Sequence, residues 1–167
     1  LETNHSLSQE EEWQVNEMKA LLLNERGNQD EFLPIWYKLL KQYREADKPE
    51  EVGKCLLTIA SHFVMLEDYD NALPLYKEAY QLAVEHEFVD LQKSSGIMLV
   101  KYLCGAGDYS KSLEYYNKIN PEIALVPSMQ NEVVKSYMEL NKPDSARIYL
   151  AERLLLEGGD KIFLNCM

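Results

Sequence analysis

Glu67-Asp68-Tyr69-Asp70-Asn71-Ala72-Leu73-Pro74-Leu75-Tyr76 decides the fold of this chain. A polar turn runs straight into an apolar segment, and the same slots recur at a set distance. Forty residues earlier stand Phe32-Leu33-Pro34-Ile35-Trp36, and forty later Ser112-Leu113-Glu114-Tyr115-Tyr116. A weaker copy, Ala146-Arg147-Ile148-Tyr149-Leu150, follows thirty-four residues further on. Recurrence at such a period marks stacked repeats, each a small unit unable to bury its apolar face alone.

The bulk numbers fit that reading. The chain has 167 residues, 46% of them apolar, with eleven Tyr but only seven Gly and six Pro. No run of alternating β-branched residues appears, so helix should far exceed the usual third. Twenty-eight acids against 17 bases give a formal charge of −11. A surface that negative repels phosphate backbones, and no basic stripe offsets it, so a nucleic-acid partner is not expected. The longest apolar run falls far short of the ~20 residues that span a bilayer. Three widely spaced cysteines, Cys55, Cys104 and Cys166, argue against a disulfide framework and for a reducing compartment. A cytoplasmic location is expected. The chain opens at Leu1 rather than Met, which points to an excised fragment. The alternative is therefore an exported or membrane-tethered protein whose leader is absent.

Apolar spacing and turn residues divide the chain into eight helices. Ser8-Gln9-Glu10-Glu11 fits a capping box, and Trp13, Met18, Leu21, Leu22 and Leu23 supply the first helix's apolar side until Gly27-Asn28. The second runs from about Asp30 to Ala46, with Leu33, Trp36, Tyr37, Leu40 and Tyr43 at three-to-four spacing and Pro34 near its first turn. The third covers roughly Glu50 to Leu66, with Val52, Leu56, Ile59, Ala60 and Phe63 as its stripe. Glu67-Asp68-Tyr69-Asp70 turns into a fourth, reaching about Glu85. The fifth spans about Val89 to Leu103. A short sixth holds Leu113, Tyr116 and Ile119 and ends at Asn120-Pro121. The seventh begins between Glu122 and Ser128, and Asn141-Lys142-Pro143-Asp144 opens an eighth that Gly158-Gly159 should close. Paired, these give hairpins at about 8–46, 50–86, 89–120 and 122–157. Residues 160–167 read as the start of a further helix or a capping segment.

Over nearly its whole length the chain resembles the tetratricopeptide-repeat family. The second hairpin carries the family's pattern as Leu56, Ile59-Ala60, Phe63, Asp68-Tyr69, Ala72, Tyr76 and Ala79. The third carries it as Leu99, Leu103, Gly107-Asp108-Tyr109, Ser112 and Tyr116, and the fourth as Val133-Val134, Tyr137, Ala146 and Leu150. In this pattern small residues let paired helices approach, and aromatics fill the gap to the next hairpin. The first hairpin matches only through Ala20, Leu23, Gly27 and Trp36, with Phe32 in a small-residue slot, as in an atypical capping unit. Two spacings are forty rather than the family's thirty-four, so helices or turns there should be longer. The resemblance implies an all-α fold, a right-handed solenoid of about four antiparallel hairpins forming one domain over 1–167.

His86-Glu87-Phe88-Val89-Asp90 begins like a zinc-protease helix, but Asp90 stands where the second His is required. Asp68-Tyr69-Asp70 lacks the mid-loop Gly and closing Glu of a calcium loop. His62 sits beside a packing stripe and reads as structural. No GxGxxG, GxxxxGK or GxSxG occurs. Nothing argues for an activated thiolate at Cys55 or Cys104. Glu10-Glu11-Glu12 and Glu50-Glu51 sit at helix starts, where they complement the dipole. No catalytic residue, metal ligand or cofactor is expected.

The resemblance implies binding instead, on a concave face lined by the first helix of each hairpin. Its groove-facing slots fall at Lys54, Leu57, Ser61, Val64 and Met65; at Ser94, Ile97, Lys101 and Cys104; and at Ser128, Asn131, Lys135 and Met138. Lys101 and Lys135 share one slot in successive hairpins, which suggests an extended peptide bearing carboxylates. The family's clamp for C-terminal carboxylates is only partly echoed. The expected function is a scaffold that docks a protein or peptide. The alternative is a sensory or regulatory segment of a larger bacterial signalling or transcription-control protein, and self-association is a third option.

Overall fold

Six turns share one backbone solution. In the computed structural model, which describes residues 7–119 and 129–162 (side chains of 29, 30 and 155–162 apart), Gly27, Asp47, Glu67, Glu87, Gly107 and Asn141 all take positive φ, between 52° and 81°. The residue after each donates its N–H to the carbonyl five back. Examples are Asn28 to Leu23, Asp68 to Phe63 and Asp108 to Leu103, each at 2.9 Å. The left-handed residue itself donates three back, as Gly27 does to Asn24 at 3.0 Å. This double bond is the Schellman stop, which satisfies carbonyls a helix end would leave orphaned. The first five such residues lie twenty apart, so the forty-residue recurrence is two helix-plus-turn units. Helices of 17 residues with three-residue turns account for the spacing longer than thirty-four.

The helices are α1 Gln9–Glu25, α2 Gln29–Glu45, α3 Pro49–Met65, α4 Tyr69–Glu85, α5 Val89–Gly105, α6 Tyr109–Lys118, α7 Gln130–Glu139 and α8 Pro143–Ile162. Among the described residues the protein is all-helical, with neighbouring helices packed and no strand. No helix there is long and apolar enough to cross a membrane. Ser8 forms the expected capping box with Glu11, and Asp68 and Asp108 cap α4 and α6 through the N–H groups of Asn71 and Lys111.

The chain divides into two compact units, 1–91 and 92–167, with the division inside α5. In the first, α1 packs on α2, α2 on α3 and α3 on α4. Leu39, Leu56 and Ile59 are fully buried, each contributing about 1.5–3 kcal/mol. Ala20, Ala60, Ala72, Ala79 and Ala83 are equally inaccessible, as close helix approach requires. A Cβ added at Gly53 would lie 2.1 Å from Leu91 Cδ2, so only glycine fits there without displacing that side chain. Phe32 fills its slot by stacking on His62, ring centroids 4.8 Å apart. His62 is buried as a structural residue, and burial pushes its pKa below the ordinary value.

In the second unit, α6 packs on α7 and α7 on α8. The Ser112 hydroxyl, fully buried, donates to the Val100 carbonyl at 2.8 Å and ties α6 to α5. Leu99, Met129 and Val133 form its inaccessible interior, and Tyr116 meets Tyr149 edge-on.

Four expectations change. Met18, Leu21 and Leu22 are exposed; α1 buries Trp13 and Ala20 on the opposite side. Tyr37 is also exposed, and Leu39 takes the buried place. Gly158-Gly159 does not close α8, which runs on to Ile162 and absorbs the expected start of a new helix at 160–162. A glycine stops a helix only where the backbone turns left-handed; elsewhere it costs about 1 kcal/mol. Finally, α6 ends at Lys118, before Asn120-Pro121, with Ile119 extended and buried. The seventh helix's expected start, with Ser128, lies outside the described residues, as do residues 163–167.

Candidate partner-binding surface

Of the thirteen groove slots expected from the family pattern, Cys104 is buried instead of facing a groove and Ser128 lies outside the described residues; the others fall into two groups. Lys54, Leu57, Ser61 and Val64 follow at three-to-four spacing along one face of α3, in the first unit. Leu57 and Val64 are half-buried, with Met65 exposed beside them. Lys54 is held by Glu50 at 2.8 Å, one helical turn away. The Ser61 hydroxyl lies 3.0 Å from the Tyr76 hydroxyl, so it links α3 to α4 as well as standing on the surface.

The second unit holds the rest. Ile97 and Lys101 are one turn apart on α5; Asn131, Lys135 and Met138 share a face of α7. Met138, Lys101, Asn131 and Lys135 are exposed, and Ile97 is half-buried. Lys101 Nζ stands 5.5 Å from the Tyr102 ring centroid and Lys135 Nζ 6.0 Å from that of Tyr109. Neither ammonium has a carboxylate within ion-pair reach among the described residues, whereas Lys111 and Lys118 are each paired on their own helices. Cys55 and Cys104 are buried, with the Cys104 thiol donating to the Glu132 carbonyl at 3.5 Å. Burial pushes the Cys55 thiol up to about 12, with Glu17 and Glu51 adding to it, which leaves no thiolate near neutral pH. No cluster of metal-ligating side chains occurs among the described residues.

One feature escaped the sequence reading. Between α1, the end of α2 and the start of α3 lies a cavity of about 260 Å³ lined by Glu10, Trp13, Gln14, Glu17, Tyr43, Lys48, Glu51 and Lys54. Trp13 and Tyr43 meet edge-to-face at 4.9 Å, both nearly inaccessible to solvent. The Tyr43 hydroxyl donates to Glu17 at 2.7 Å. Burial, then that hydrogen bond, raises the phenol's pKa far above its ordinary value, and Glu51 adds its field. Lys48 is part of that lining: its Nζ is 2.5 Å from Glu10 Oε1 and 5.3 Å from the Trp13 ring centroid. That bond to Glu10 raises the ammonium pKa and lowers the carboxyl's.

The acids expected to serve helix ends thus divide by role. Glu11 completes the capping box, Glu10 and Glu50 pair with lysines, and Glu51 faces the cavity. The signal was available in Glu10 and Glu17, two turns apart on α1 and flanking Trp13. Comparisons of the chain with protein-family models, curated proteins and solved structures found no match.

Proposed function

We propose that this protein is a non-catalytic helical-repeat module that docks a protein or extended peptide. Its helix pairs are taken as repeats of the tetratricopeptide kind, forming a right-handed solenoid whose first helices carry the binding face. One observation carries the reading. On α5 and α7 the expected groove slots at Lys101, Asn131, Lys135 and Met138 are exposed. Two of them are lysines with no acid partner among the described residues. Unpaired ammonium groups beside apolar surface suit a segment bearing carboxylates, with Ile97 and Met138 gripping its apolar side chains. The test is titration of a glutamate-rich peptide against the intact chain and the Lys101→Ala and Lys135→Ala variants. Each change should weaken binding about three- to fivefold, the usual worth of a solvent-exposed charge contact. Unchanged affinity in both variants rules the reading out.

A further inference from the structure

We propose that the cavity between α1 and α3 is a receptor for a cationic side chain, a lysine or arginine of a partner segment, and that the Lys48 ammonium holds its Glu10–Trp13 corner in the free protein. The proposal deepens the docking reading by assigning a second contact of opposite chemistry, in the first unit. Most of its walls suit a cation, and the other ammonium on them, Lys54, is paired with Glu50. Trp13 and Tyr43 offer aromatic surface, the former already carrying an ammonium 5.3 Å from its ring. Glu10, Glu17 and Glu51 line the same space. Only Glu10 of these forms an ion pair among the described residues; Glu17 accepts a phenol hydroxyl, and Glu51 makes no contact pair but adds its field at Lys48 and Lys54. Trp13, on the cavity wall, is 4% exposed, and its buried indole N–H has no hydrogen-bond partner among the described residues.

Charge favours the same occupant. Residues 1–91 contain 19 acids and eight bases, so the unit that owns the cavity carries −11, the whole formal charge of the chain. A basic segment is drawn to that unit and an acidic one repelled. Lys48 is the internal competitor. It sits in the α2–α3 turn, where its side chain can swing out without breaking a helical hydrogen bond. A site occupied by its own plug binds a visitor more weakly in proportion to the fraction of time it stands open.

The experiment titrates the full chain with a hexalysine peptide and compares two variants that lose the same charge. Lys48→Ala removes the plug; Lys38→Ala removes an exposed lysine on α2, away from the cavity. Lys48→Ala should bind hexalysine about fivefold more tightly than Lys38→Ala, the factor an exposed ion pair commands. Adding Glu17→Gln with Glu51→Gln should erase the gain, while Glu67→Gln with Glu85→Gln, an equal charge change outside the cavity, should leave it. Lys48→Gln should repeat the effect of Lys48→Ala. Equal affinity of the Lys48 and Lys38 variants overturns the proposal, as does a gain that survives loss of Glu17 and Glu51. Either failure leaves the glutamate-peptide titration on Lys101 and Lys135 untouched, so the two readings fail separately.

Discussion

The two units differ most in charge. Residues 1–91 have 19 acids against eight bases, and residues 92–167 have nine of each. An overall charge of −11 therefore describes only one of them, and an argument about partners drawn from the average misleads in both directions. Under the docking proposal the neutral unit presents Lys101 and Lys135, without ion-pair partners among the described residues, to an acidic segment, and the acidic unit would repel such a segment and favour a basic one. Both are built on the same local device, the left-handed stop after a helix, which recurs at Gly27, Asp47, Glu67 and Glu87 in one and at Gly107 and Asn141 in the other. Shared backbone chemistry leaves surface chemistry free to diverge, since packing of neighbouring helices occupies one set of positions and leaves the rest to solvent.

The sharpest way to separate the units uses the placement of the tryptophans. Both, Trp13 and Trp36, lie in the first, so indole fluorescence follows that unit and far-ultraviolet circular dichroism follows all helices. Leu39→Ala should cost about 2–5 kcal/mol in the fluorescence-detected denaturant transition, because it empties a fully buried site. A shift below 1 kcal/mol would mean the site collapses freely, and the tight interior described for this unit would be wrong.

The legibility of the sequence followed the same division between stops and faces. Turn positions were readable because Gly27, Gly107 and the Asp-Tyr pairs have a chemical reason to be where they are. The stripe of α3 was readable because Val52, Leu56, Ile59 and Ala60 form a single apolar face. On α1 periodicity could not choose, since Val15, Met18 and Leu22 compete with Trp13 and Ala20 from the opposite side, and only packing on α2 settles which is buried. The cavity was hidden for a different reason. It is made by one helix face, one helix end and one turn, and no spacing rule links Trp13, Tyr43 and Lys48. Lys54, Lys101, Asn131, Lys135 and Met138 are exposed, whereas Cys104 is buried because it faces Glu132 on α7, and partners such as Glu50 on Lys54 depended on rotamers.

A smaller effect tests whether the stop is one device in both units. Glu67 and Glu87 hold φ near +58°, where a Cβ crowds the backbone, at a cost of roughly 1–2 kcal/mol. Glycine removes that strain but loses more freedom on folding. Glu67→Gly should therefore range from neutral to about 1 kcal/mol more stable, whereas Gly107→Ala should lose about 1 kcal/mol. Thermal or urea melts of the two variants decide the matter. A stabilising Gly107→Ala would show that the second unit's turn is not of this kind.

The smallest effect on stability joins charge to the misread face of α1. Val15, Met18 and Leu22 are 45%, 58% and 52% exposed, an apolar stripe on the unit that also carries the whole negative charge. Repulsion between copies opposes contact through this stripe, and salt shortens the reach of that repulsion from about 30 Å at 0.01 M to about 3 Å at 1 M. Light scattering should find the chain monomeric at low salt and associating at high salt. Met18→Glu with Leu22→Glu should abolish the association and change stability by no more than about 0.5 kcal/mol, as surface substitutions do. If the double variant still associates as salt rises, the contact lies elsewhere. The exposed leucines of α1 are then ordinary surface, and the charge of the first unit has no self-association to hold back.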